Sequence, residues 1–168
     1  MSDTRRTDPP YQADERAMLD AWLDYHRATL QLKCDGLADD QLRQRAVPPS
    51  TLSLLGLVRH LAEVERNWFR RVLAGDAAPY LYASDDDPDG DFDNVDDADV
   101  AEAFATWRAE IEHARRNAAA APSLEATGTR RGRPVSLRWI MNHMIEEYAR
   151  HNGHADLLRE RIDGSVGE

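Results

Sequence analysis

One stretch of the chain and one residue far upstream of it carry side chains suited to chemistry. The stretch, SLRWIMNHMIEEYARHNGHADLLRERID, reads as a single helix from Ser136 to Asp163. Within it Glu147 and His151 are four apart, and His151 and His154 are three apart. Side chains at those spacings lie one above the other on a helix surface, so a carboxylate and two imidazoles can point at one place. The chain has six histidines, and three of them, His143, His151 and His154, fall here. A divalent cation is the best physical reason for such a grouping, with His60 of an upstream helix completing the ligand set. His60, Glu147 and His151 as ligands leave a coordination position open, the pattern of a catalytic rather than a structural site. Two imidazoles and a carboxylate suit Zn²⁺ first, and Ni²⁺, Fe²⁺ or Mn²⁺ as alternatives. His154 could replace Glu147 as ligand, support a ligand from behind, or accept a proton. His143, one turn before Glu147, could do the same from the other side. The competing reading is plain: an edge histidine is often structural, and Glu147 could simply pair with a neighbouring Arg.

Four helices must hold these residues. The last is capped by Ser136 and stopped at Asp163–Gly164. Leu137, Ile140, Met144, Tyr148, Ala155 and Leu158 form its buried stripe. The first runs from about Asp14 to Lys33, with Leu19, Trp22, Leu23, His26 and Leu30 on one face; His26 reads as a core-edge histidine. The second begins at the Ser53 cap and continues to Gly75, with Leu57, Leu61, Val64 and Trp68 inward and His60 beside them. The third spans about Ala98 to Ala121, with Val100, Phe104, Trp107, Ile111 and Ala114 as its seam. Between the second and third helices lies an Asp-rich connection over 76–97, anchored by Tyr80, Tyr82 and Phe92. Its Asp85, Asp87, Asp89, Asp91 and Asp93 alternate as in a calcium loop, but the glycine and terminal glutamate of an EF-hand are not matched, so a solvated crossover is the simpler reading. A crossover this long lets the helices it joins run parallel. The segment SLEATGTRRGRPV reads as a loop whose Arg130, Arg131 and Arg133 are either a solvated turn or a patch facing an anionic group.

The totals set limits. At 168 residues and a net charge of −10, a phosphate-binding surface is not expected, so no nucleic acid is assigned as a partner. One cysteine, Cys34, rules out an internal disulfide and fits a reducing cytoplasm. No run is apolar and long enough to span a membrane, and the N-terminus lacks the apolar run of a secretory signal. Residues 1–13, polar and holding Pro9 and Pro10, are expected to be a mobile arm ahead of one domain over 14–168.

Two stretches, VPPSTLSLLGLVRHLAEVERNWFRRVLAG and VSLRWIMNHMIEEYARHNGHADLLRERIDG, resemble the DinB-like superfamily, and within it the actinobacterial branch related to mycothiol-dependent enzymes. The resemblance covers most of the chain from about residue 15. It implies an all-α four-helix bundle with an up-down-down-up course and a long crossover between helices 2 and 3. Many DinB-like proteins have three histidine ligands, and His60 and His151 match the first and last. Glu147 stands where the middle histidine would be, and the mycothiol-dependent maleylpyruvate isomerase family shares that His, Glu, His order. The length leaves no room for that family's additional C-terminal domain, so the isomerase reaction is not expected. The resemblance implies instead a transferase joining a low-molecular-weight thiol, mycothiol, to an electrophilic small molecule, with the thiol activated as a metal-bound thiolate. Arg150, Asn67 and the Arg130–Arg133 loop are candidates to contact the sugar part of mycothiol. A homodimer is also implied. The rival readings are a metal-dependent hydrolase working through water and a non-catalytic, stress-linked bundle.

Overall fold

The structure is a computed structural model, and it describes residues 6–167. The long helices begin where capping side chains satisfy the free N–H groups of a first turn. Helix α1 (Glu15–Cys34) is capped by Asp14, which accepts from the Ala17 N–H at 3.0 Å. A short α2 (Asp39–Arg43) follows, then α3 (Leu54–Glu65), capped by Ser53. A four-residue α4 (Gly90–Asp93) lies in the acidic crossover, and α5 (Val100–Ala120) is capped by Asp99. The last helix, α6 (Leu137–Asp163), starts at the Ser136 cap and stops at Gly164, whose φ of 81° is the left-handed C-cap geometry glycine permits.

Contacts between helices give their directions. Arg138 of α6 pairs with Glu15 of α1, and further along both helices Asn152 donates to the His26 carbonyl and Arg159 to that of Lys33, so α1 and α6 are parallel. Arg66 and Phe69, on the helical continuation of α3, meet Glu110 and Asn117, so α3 and α5 are parallel. Trp68 packs on Trp139 while His60 reaches His151, so α3 and α6 are antiparallel. The course is up-down-down-up, as the resemblance implies, with the long crossover permitting the parallel pair.

A polar network crosses the middle of the core and ties the four helices together. Arg27 of α1 donates twice to Glu65 of α3, both at 2.8 Å. Tyr148 of α6 donates to Glu65 at 2.8 Å, and Trp107 of α5 donates to the Tyr148 hydroxyl at 2.9 Å. Glu65 is fully buried, so each of its bonds is made away from competing water. Around it the seams foreseen on α5 and α6 are buried throughout.

Three local features depart from the sequence reading. The second long helix is not α-helical to Gly75: after Glu65 it becomes a π-helix over Arg66–Leu73, with the Ala74 N–H bonding the Phe69 carbonyl five residues back. The wider turn carries an extra residue, and Trp68, Phe69 and Val72 all reach the core. The supposed loop holding Arg130, Arg131 and Arg133 is an antiparallel hairpin of β1 (Thr127–Arg130) and β2 (Arg133–Ser136). Its two-residue turn, Arg131–Gly132, has φ of 50° and 76°, the positive pair that matches strand twist. Gly128 lets β1 lie directly on the π-helix, since a Cβ there would sit 2.0 Å from the Val72 carbonyl oxygen. Finally, Trp22 is not in the α1 core stripe but 41% exposed. Of the segment 1–13, residues 1–5 lie outside the described ones; Arg6 holds its guanidinium 4.6 Å from the centre of the Tyr25 ring.

Candidate active site

His60 and the Glu147/His151 pair come from antiparallel helices and meet on one side of the bundle. Glu147 Oε2 lies 3.7 Å from His60 Nε2 and 3.5 Å from His151 Nε2. One ligand atom from each residue falls within 4.8 Å of the others. These separations exceed a good N–H···O hydrogen bond, about 2.7–3.2 Å. They are close to the roughly 3.3–3.5 Å between donors set tetrahedrally about 2.0–2.1 Å from one Zn²⁺. The donor set and its spacing therefore fit a small divalent cation.

What fixes His60 is a residue of the acidic crossover. Asp91 Oδ2 is 2.8 Å from His60 Nδ1, and Asp91 is buried, with its Oδ1 accepting from the Phe92 N–H. A neutral His60 that donates from Nδ1 to this carboxylate presents the lone pair of Nε2 toward Glu147 and His151, the arrangement that orients a metal-binding imidazole. Phe92 stacks on the His60 ring at 4.2 Å. The crossover is itself pinned to α3. Buried Glu63 accepts from the backbone N–H groups of Leu81, Tyr82 and Ala83, and Arg59 donates to the carbonyls of Gly90 and Asn94. Gly56 allows the close approach, because a Cβ there would stand 2.9 Å from the Phe92 carbonyl oxygen.

Charge follows the geometry. The imidazoles of His151 and His60 beside it, opposed by partial burial, hold the Glu147 carboxyl far below the usual carboxylate range. Burial disfavours the charged form of His60, yet Asp91 and Glu147 outweigh it and raise the imidazole above its ordinary value. His154 reaches His151 from behind, with the two Nδ1 atoms 3.3 Å apart, and burial followed by the charges of His151 and Arg150 lowers it. It touches the far nitrogen of His151, not the space between the three donors.

His143 lies on the other flank. Its Nε2 is 3.4 Å from Glu147 Oε1, and its ring stacks on Trp139 at 4.9 Å and meets Trp68 edge-on at 4.8 Å. His143, Glu146 and Glu147 form a second cation-sized group, but Arg150 Nη2 already engages Glu146 at 2.6 Å. Arg150 is otherwise exposed and turned to that carboxylate. Asn67 lines a separate cavity of about 410 Å³ with Arg71, Tyr80, Thr129, Arg130 and Arg131. Cys34 is buried, and burial pushes its thiol up to about 12, so it stays protonated. His26 packs at the core edge, with Asn152 donating to its carbonyl.

The sequence model of the mycothiol-S-transferase family matches residues 18–164. The chain belongs to that family. No curated protein matches the chain. At the level of the family, that membership supports a mycothiol S-transferase activity. Among the described residues, no helix of this mycothiol-S-transferase family member is long and apolar enough to cross a membrane.

Sequence reading did not single out two residues beside the site. Asp91 is one of five alternating acids, and nothing in that pattern distinguishes it from its solvated neighbours. Trp139 sits four residues before His143 and eight before Glu147, so it shares their line on α6; that spacing was the available signal.

Proposed function

We propose that this chain joins mycothiol to an electrophilic small molecule at a divalent cation held by His60, Glu147 and His151, with Zn²⁺ the first candidate and Ni²⁺, Fe²⁺ or Mn²⁺ the others. The observation that carries the reading is the meeting of three donor atoms from two helices, one of them aimed by buried Asp91. A bound cation supplies a Lewis acid that favours the thiolate, the nucleophilic form of a thiol. The protein does the rest. Glu147 brings negative charge to the ligand set, His154 supports His151, and Phe92 shields His60 from water. His143 is positioned to take the thiol proton at Nε2, beside Glu147 Oε1. As the C–S bond forms, the bond from the same carbon to its leaving group breaks, and that group departs with the electron pair. The polar cavity beside Asn67 suits the sugar portion of mycothiol, and exposed Arg150, paired with Glu146, is a further candidate contact.

We place the reaction in the cytoplasm, and a homodimer is the expected assembly, open to sedimentation analysis. The decisive experiment is metal analysis of the purified protein, joined to assays of thiol conjugation and of ester hydrolysis. Stoichiometric cation, lost in His60→Ala and with chelator, together with conjugation that follows it, supports the proposal. Hydrolysis without conjugation would make the chain a hydrolase. Wild-type protein without cation and an unaffected His60→Ala variant would leave a non-catalytic bundle.

A further inference from the structure

A groove of about 740 Å³ opens between the β-hairpin and the start of α6, lined by Trp68, Trp139, Val135 and the three arginines Arg130, Arg131 and Arg133. Its composition runs against that of the chain. Carboxylates outnumber cationic side chains by 31 to 21; Arg45 and Arg66 each hold one, and Arg27, Arg70 and Arg138 each hold two. Among the described residues, no ion pair engages Arg130, Arg131 or Arg133. Arg130 instead lies over the face of Trp68, 4.4 Å from its centre. Trp139, 48% exposed, packs on Trp68 at 5.0 Å and stacks on His143. The groove therefore has aromatic walls and a cationic rim.

It also leads to the proposed cation. Trp139, His143 and Glu147 are successive fourth residues of α6, so they form one line. At 1.5 Å rise per residue, about 12 Å of helix separates Trp139 from Glu147. A flat molecule lying on the tryptophans would reach His143 at its inner end.

We propose that this groove binds the electrophilic co-substrate, and that its class is a planar, conjugated molecule bearing an anionic substituent. The ring lies against Trp68 and Trp139; Arg130 and Arg133, paired across the hairpin register, take the carboxylate or similar group. Guanidinium forks match carboxylate geometry, and aromatic planes select flat partners. The inference rests on the transferase reading for the role of the ligand, but its test needs neither thiol nor metal.

The test is a titration of metal-free protein with dinitrobenzoate, a flat anion without a leaving group, read by quenching of tryptophan fluorescence. Its methyl ester serves as the neutral twin. Binding of the acid roughly tenfold or more tighter than the ester is expected, because hydrogen bonds from guanidinium groups to a carboxylate are charge-assisted. The preference should weaken with salt, vanish in the Arg130→Ala/Arg133→Ala variant and persist in part in Arg130→Lys/Arg133→Lys; Trp139→Phe should reduce the quenching, leaving the share that comes from Trp68. Mycothiol alone should leave the probe bound. Equal binding of acid and ester to the wild type overturns the proposal, even if the double alanine variant fails to fold. Displacement of the probe by mycothiol overturns it too, by assigning the groove to the thiol. Conjugation of neutral electrophiles alongside such a result would leave the transferase reading standing.

Discussion

Replacing Asp91 by Asn isolates the link between the acidic crossover and the ligand set. The substitution keeps size and shape at a buried position and removes only the charge. Asp91 now does two things: Oδ1 accepts from the Phe92 N–H at 2.9 Å, and Oδ2 faces His60 Nδ1 at 2.8 Å. An Asn whose oxygen keeps the Phe92 bond must turn its NH₂ toward His60, which moves the imidazole proton to Nε2 and blocks the lone pair that a cation needs. The flipped amide restores the tautomer but sets its NH₂ against the Phe92 N–H. Either way, one good interaction is lost. Groups that orient a metal-binding histidine typically account for about 10–100-fold in affinity, or roughly 1.4–2.8 kcal/mol. Competition titration with a chromophoric chelator near neutral pH should show that loss, with helicity by circular dichroism unchanged. In the metal-free protein, the His60 titration followed by NMR should also move down, since the carboxylate that helps raise it is gone. Wild-type metal affinity in a folded Asp91→Asn variant would refute the idea that the crossover builds the site.

Other changes probe the fold and its protonation. Arg27→Met strands fully buried Glu65 without its charge partner; a stability loss of about 3–5 kcal/mol is expected by urea unfolding, and a loss below 1 kcal/mol would contradict the central role of the network. Gly128→Ala drives a methyl into the Val72 carbonyl and should cost about 1–3 kcal/mol as overpacking does, while displacing the hairpin and weakening dinitrobenzoate binding. In the metal-free protein, raised His60 stabilises the fold fully below its unfolded pKa of about 6.5, and that contribution is lost as pH rises through its higher folded value. Lowered Glu147 stabilises above about 4.3, and its contribution is lost as pH falls through its folded value. The Tm gap between wild type and Glu147→Gln should therefore be widest between those limits. Saturating Zn²⁺ should reverse the trend on the alkaline side, because protons compete with the cation for the imidazoles; a Tm gap unchanged by pH, with or without metal, would count against the paired titration.

Periodicity alone laid out the bundle. The stripes on α5 and α6 are buried as their spacing requires, because a helix face repeats every three or four residues whatever the rest of the chain does. Caps at Ser53 and Ser136 were equally legible, since a cap is a contact between neighbours in sequence. The i,i+4 relation of Glu147 to His151 belongs to the same class. What only the tertiary structure decided is everything that depends on long-range contact. Asp91 becomes the partner of His60 because Glu63, Arg59 and the bare backbone at Gly56 hold a distant loop against α3. The π-helix and the hairpin arise together, as Gly128 rests on Val72, and neither has the local signature that separates a π turn from an α turn or a strand from a loop. Local spacing places side chains on a face; only packing chooses which faces meet and which single acid, among many alike, is buried between them.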